Sequence, residues 1–128
     1  MLVEISPGEL LDKISILELK MLKIEDKVKL KNIKKEFETL NPLVVKLFED
    51  NDGQLQNHYL ELANINGQLW DIEDWIRECE QRKDFGAEFI QLARSIYVTN
   101  DRRSQVKKII NTVTGSDLVE EKSYKNYE

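Results

Sequence analysis

Three carboxylates, Asp71, Asp74 and Glu78, are spaced i, i+3 and i+7. That spacing places them on one face of a helix, where with water and a phosphate they have the chemistry to ligate Mg²⁺. The next helix offers only Glu88 and Asp101 as further carboxylates, placed far apart. The ladder therefore suits a solvated acidic face, paired with Arg77 and Arg94, better than a metal site, and no cofactor is implied. A second set consists of amides and guanidinium groups, Asn66, Asn100 and Arg103, beside Trp70, Tyr97 and Tyr59. These types hold small anions or carboxylates when a cleft brings them together. His58 and Cys79 stand on one helix, 21 residues and about 31 Å apart, too far to form a nucleophile and its base. Lys27, Lys31, Lys34 and Lys35 form a basic stripe within a segment of five lysines from Lys27 to Lys35. No aromatic interleaves them and Glu36 and Glu38 follow, which reads as a solvated face rather than a nucleic-acid contact.

Helices must position these groups. Ser6-Pro7-Gly8-Glu9 supplies an N-cap, a proline at the first helical position and a capping-box carboxylate. Leu10, Ile14, Leu17, Met21 and Ile24 then form an apolar seam, after which Glu25-Asp26 offers a new cap. The second helix carries Leu30, Ile33, Phe37 and Leu40 and is predicted to stop at Asn41-Pro42, because a residue before proline is pushed out of the helical region. These two helices make an antiparallel hairpin over 6–41. Leu43 to Phe48 is a short apolar piece, and 49–53 is a loop.

Two long helices follow, one over 54–81 and one from a cap at Asp84 to Val113, with Gly115 as a left-handed C-cap. They form a second hairpin over 54–114. Residues 1–5 read as an extended arm. Residues 116–128 read as a docked tail, with Leu118, Val119 and Tyr124 expected to bury apolar area against the first helix or the arm of the same or a neighbouring subunit. Leu118-Val119-Glu120 also echoes Leu2-Val3-Glu4, which suggests a two-stranded contact.

A turn at 82–84 folds the long helices so that Asn66 meets Asn100 and Trp70 meets Ile96. A polar layer results, Asn66 with Asn100 and Arg103, bounded by Trp70 and by an ion pair from Asp74 or Glu73 to Arg94. Its structural role would be register, since a buried amide pair rejects shifted pairings. Its chemical role would be a binding site. Register is the better supported of the two.

The chain has 128 residues and a net charge of −5, enough length for a core without disulfides. One Cys and one His exclude an intrachain disulfide and a zinc-finger site. No apolar run spans a membrane or reads as a leader, so a cytoplasmic location is expected. Net acidity argues against nucleic acid. The fold class is all-α: 1–128 is a single helical domain of two antiparallel hairpins, four-helix-bundle-like. The long pair leaves apolar surface that favours a homodimer or an unidentified protein partner.

Several stretches carry a resemblance: Ser6-Pro7-Gly8-Glu9-Leu10-Leu11-Asp12-Lys13, Asn66-x-x-Leu69-Trp70-Asp71-Ile72-Glu73-Asp74-x-Ile76-Arg77-x-Cys79-Glu80, Asp84-Phe85-Gly86, Leu92-Ala93-Arg94-x-Ile96-Tyr97-x-x-Asn100-Asp101-x-Arg103 and Leu118 to Tyr124. They resemble a family of short bacterial helical proteins catalogued only as a domain of unknown function. The resemblance implies a free-standing domain and carries over no catalytic residue. The acidic ladder is similar to that of all-helical nucleotide pyrophosphohydrolases but lacks their second pair. Arg94, Arg103 and Lys107 loosely resemble the cations of small chorismate mutases, yet the first helix has no arginine. The weight falls on a non-enzymatic interaction or assembly module. The alternative is a ligand-binding or metal-dependent helical enzyme acting on a phosphorylated or carboxylate substrate at Asn66, Asn100 and Arg103.

Overall fold

The computed structural model describes residues 1–128 and contains four helices: α1 Pro7–Lys23, α2 Lys27–Asp50, α3 Gln56–Gln81 and α4 Ala87–Thr114. No strand forms, so the Leu2-Val3-Glu4 and Leu118-Val119-Glu120 segments do not pair. No helix is long and apolar enough to cross a membrane.

The starts of α1 and α2 follow the sequence signals, whereas α4 is capped by Gly86 rather than by the expected Asp84. Ser6 accepts a hydrogen bond from the Glu9 N–H at 3.2 Å, and Asp26 accepts one from the Lys29 N–H at 2.9 Å. The Glu9 carboxylate, however, turns away from the cap and meets Lys107 Nζ at 2.8 Å. Asp84 accepts from the Gly86 N–H at 3.1 Å, and α4 begins only at Ala87, leaving Phe85 outside it. Gly115 takes the left-handed conformation, φ 67°, and ends α4 as expected.

The first hairpin differs from the expected 6–41. α2 continues through Asn41-Pro42 to Asp50, absorbing the stretch read as a separate piece. Val44 is buried, and Leu47 and Phe48 pack against the core. Their burial outweighs one missing N–H, which is how tertiary packing overrides a local breaker.

α1 is the hub. It packs against α2, α3 and α4, whereas α2 packs chiefly on α1. Leu10, Leu11, Ile14 and Leu17 of α1 meet Ile33 and Val44 of α2, Leu62 and Ile65 of α3, and Val106 and Ile110 of α4 in one buried cluster. At its N-terminal end α1 comes very close to α4. A Cβ on Gly8 would lie 2.5 Å from the Lys107 carbonyl oxygen, and the Gly8 N–H donates to Asn111 Oδ1 at 2.7 Å. Only glycine permits that approach. Trp70 is half-buried, while Trp75 is 50% exposed.

Because Pro42 is exposed and only interrupts the α2 ladder, Pro42→Ala should stabilise the protein by about 1 to 3 kcal/mol. Urea unfolding should show a higher midpoint at an unchanged slope. A lower midpoint would mean that the proline shapes α2.

Candidate functional site

Beside its apolar seam, α1 carries a second stripe, Gly8, Asp12 and Ser15, at spacings of 4 and 3. This stripe faces α3 and α4. Asp12 is only 1% exposed and accepts from Arg103 Nε at 2.9 Å, from Arg103 Nη2, and from Asn66 Nδ2 at 3.0 Å. Ser15 Oγ accepts from Asn66 Nδ2 at 2.8 Å and donates to the Asp12 carbonyl at 2.8 Å. Both oxygens of this carboxylate therefore accept hydrogen bonds, one of them as part of an ion pair, the condition under which a charge is tolerated in a core. The Asp12 hydrogen bonds, opposed by burial, raise the Arg103 pKa and keep the guanidinium charged. Nη1 of Arg103 is left without a partner in the chain.

The expected polar layer is thus rearranged. Asn66 gives its amide to α1 rather than to Asn100, which is exposed. The ion pair from Asp74 or Glu73 to Arg94 does not form: Glu73 pairs with Arg77 at 3.2 Å, and Arg94 is exposed. The reason is that α1 lies against both α3 and α4 at this level, so its buried carboxylate takes the donors that a two-helix view assigns across the hairpin. Tyr59 stands apart, edge-on to Phe48 at 5.8 Å between ring centroids. Its hydroxyl is buried without a hydrogen-bond partner, and burial first, then Glu18, raises its pKa. Asp71 is half-buried, while Asp74 and Glu78 are exposed, and nowhere do three His, Cys, Asp or Glu side chains converge as a metal requires.

Two cavities flank Arg103. A groove of about 440 Å³ is lined by Ile16, Leu19, Asn66, Leu69, Trp70, Glu73, Asp74, Asn100 and Arg103. A larger cleft of about 560 Å³ opens between α4 and the tail, lined by Ile96, Tyr97, Asn100, Asp101, Arg103, Ser104, Lys107, Lys122, Tyr124, Lys125 and Tyr127. Asn66, Trp70 and Asp74 thus share one cavity, Tyr97 belongs to the other, Asn100 and Arg103 wall both, and Arg94 lines neither.

The tail runs back along α4 rather than burying against α1 or the arm. Lys107 meets Glu120 at 3.3 Å and Lys108 meets Glu121 at 3.6 Å. The Tyr127 hydroxyl donates to Asp101 at 2.7 Å, and its ring meets Tyr97 at 5.3 Å between centroids. Leu118, Val119 and Tyr124, expected to be buried, are 39%, 47% and 76% exposed. Left-handed Gly115 sends the chain back beside the charged side of α4, where lysines and Asp101 offer polar partners. The sequence reading did not find Asp12, Ser15 or the tail residues Lys122, Lys125 and Tyr127 as site residues. The polar stripe of α1 was the available signal for the first two.

A family model described as a family of unknown function (DUF6165) matches residues 1–127. The chain belongs to this family. Comparison with curated proteins and with solved structures gives no match.

Two predictions follow from these contacts. Arg103→Met leaves the buried Asp12 carboxylate with only Asn66 and, at 3.9 Å, Lys107 as partners, and should cost about 3 to 5 kcal/mol in urea unfolding. Asp12→Asn keeps the Asn66 and Ser15 contacts and frees an arginine that can reach water, so it should cost less, about 1 to 3 kcal/mol. The reverse order would show that Asp12 is not the constrained partner. Hydrogen bonding to Asp101 pushes the Tyr127 phenol up from 10.0 to about 12. The neutral phenol is the donor, so the contact is intact below pH 10.0 and is lost as pH rises through about 12. Ultraviolet titration of wild type against Tyr127→Phe should remove the highest tyrosine transition that belongs to an exposed ring. A Tyr127 titrating near 10.0 would show the contact absent in solution.

Proposed function

We propose that this protein is a non-enzymatic binding module whose cleft between α4 and the tail takes a small organic anion with a planar or apolar body. One observation carries the reading: Arg103, Lys107, Lys122 and Lys125 share a cleft of about 560 Å³ with Tyr97, Tyr124 and Tyr127. Small-molecule sites fall in this volume range, and the combination of cations with aromatic rings fits a ligand that has a charged end and a flat end. Arg103 is held in place from behind by Asp12 and keeps Nη1 unpaired, which is the preorganisation a binding site needs.

Binding rather than turnover is supported by the same residues. The cleft contains no histidine or cysteine, and its one lining carboxylate, Asp101, is engaged by Tyr127. The cleft moves the weight from a protein contact, favoured by sequence alone, to a small ligand.

The test is titration with AMP, adenosine and inorganic phosphate by calorimetry and by NMR of the tyrosine rings. AMP should bind at least about five-fold more tightly than phosphate, since stacking of one base contributes about 1 to 3 kcal/mol. Lys122→Ala with Lys125→Ala should weaken AMP several-fold and steepen no salt dependence. Absence of both heat and tyrosine shifts with AMP would overturn the reading.

A further inference from the structure

We infer that Glu120 is a tethered occupant of the cleft's lysines, so that the terminal oxyanion of a ligand, carboxylate or phosphate, enters by displacing it; the inference rests on the cleft being a ligand site. Glu120 divides its two oxygens between the helix and the tail. Oε2 lies 3.3 Å from Lys107 Nζ and Oε1 lies 2.7 Å from Lys122 Nζ. Both lysines line the cleft, while Glu120 reaches them from its rim, lining the smaller neighbouring cavity. A carboxylate that bridges two cleft cations marks the place where an external oxyanion would be held.

Three carboxylates approach Lys107, and they differ in what it takes to move them. Glu9 at 2.8 Å and Asp12 at 3.9 Å belong to α1, and Asp12 is clamped by Arg103 and Asn66. Glu120 belongs to the tail, which past Ser116 makes no backbone–backbone hydrogen bond. Its side chain is 47% exposed, so leaving Lys107 returns it to water with little desolvation to overcome. The hydrogen bond from Lys122, with Lys107 alongside, lowers the Glu120 pKa and keeps the occupant charged. The exchange is anion for anion, and it leaves Lys122 and Lys125 on the same strap as the departing carboxylate. A neutral molecule has nothing to exchange.

The neighbouring pair supplies the control. Glu121 meets Lys108 at 3.6 Å, and Lys108 does not line the cleft. Glu120→Gln and Glu121→Gln remove the same charge from adjacent positions, both exposed, so neither threatens the fold.

The experiment is calorimetric titration of wild type, E120Q and E121Q with AMP, with benzoate as the carboxylate arm and adenosine as the neutral arm. E120Q should bind AMP and benzoate about three- to ten-fold more tightly than wild type, with adenosine unchanged and with E121Q within about two-fold of wild type. Tightening for AMP alone or for benzoate alone would support the exchange and identify phosphate or carboxylate as the group accepted. Equal tightening in E120Q and E121Q would reduce the effect to general charge and overturn the inference. AMP binding in wild type with no change in E120Q would also overturn it while leaving the cleft a binding site. Absence of AMP binding in all three proteins would remove the cleft reading and this inference together.

Discussion

A carboxylate removed from water must find its compensation inside the protein, and Asp12 does so from two neighbouring helices. Arg103 of α4 and Asn66 of α3 donate to it, and Ser15 of its own helix holds the Asn66 amide in place. Such a cluster resists sliding of α1 along the long hairpin, because a shift of one turn would break the Arg103 and Asn66 hydrogen bonds to a buried charge together. Gly8 makes the same demand by different means, through a backbone approach that any side chain would obstruct. The apolar cluster supplies most of the drive to pack, but apolar contacts alone accept many registers. The polar contacts select one.

The same pair sets the character of both cavities. Arg103 spends Nε and Nη2 on Asp12 and presents its remaining edge at the boundary between the groove and the cleft. The positive charge in the cleft is therefore balanced from the far side by a helix that does not line it. Lys107 is balanced likewise by Glu9. An acidic protein can carry a cationic cleft in this way, and net charge alone is a poor guide to local chemistry.

Much of the fold was legible in the sequence because its signals are local. The Ser6-Pro7 start, the Asp26 cap, the turn near Lys83 and the left-handed Gly115 each depend on a few neighbouring residues. Pro42 misled because its local cost was outweighed by distant burial of Val44 and its neighbours. At the site, Asn66, Asn100 and Arg103 were picked out as interruptions of apolar seams, yet their partners were assigned within one hairpin. Asp12 is not legible from the α1 seam, since Leu10 to Ile24 account for one face of a helix that is covered on more than one. The tail was read by its apolar residues and is instead held by its charged and phenolic ones. Residue type signalled docking, and only three-dimensional placement shows the surface used.

Arg103 comes 91 residues after Asp12, and the contact between them has consequences in time as well as in space. During synthesis α1 and α2 emerge first and can close their shared apolar seam, but the face carrying Gly8, Asp12 and Ser15 must stay hydrated until α4 has been made. The early hairpin is thus amphipathic in two senses, with one side ready to pack and one side that resists premature collapse because it carries an unpaired charge. Such a long sequence separation slows the final closure, since much chain must be ordered before the contact returns any energy. The cleft inherits this delay through one residue: α4 and the tail form its walls, but Arg103 is fixed at its edge only once the oldest helix and the youngest have met.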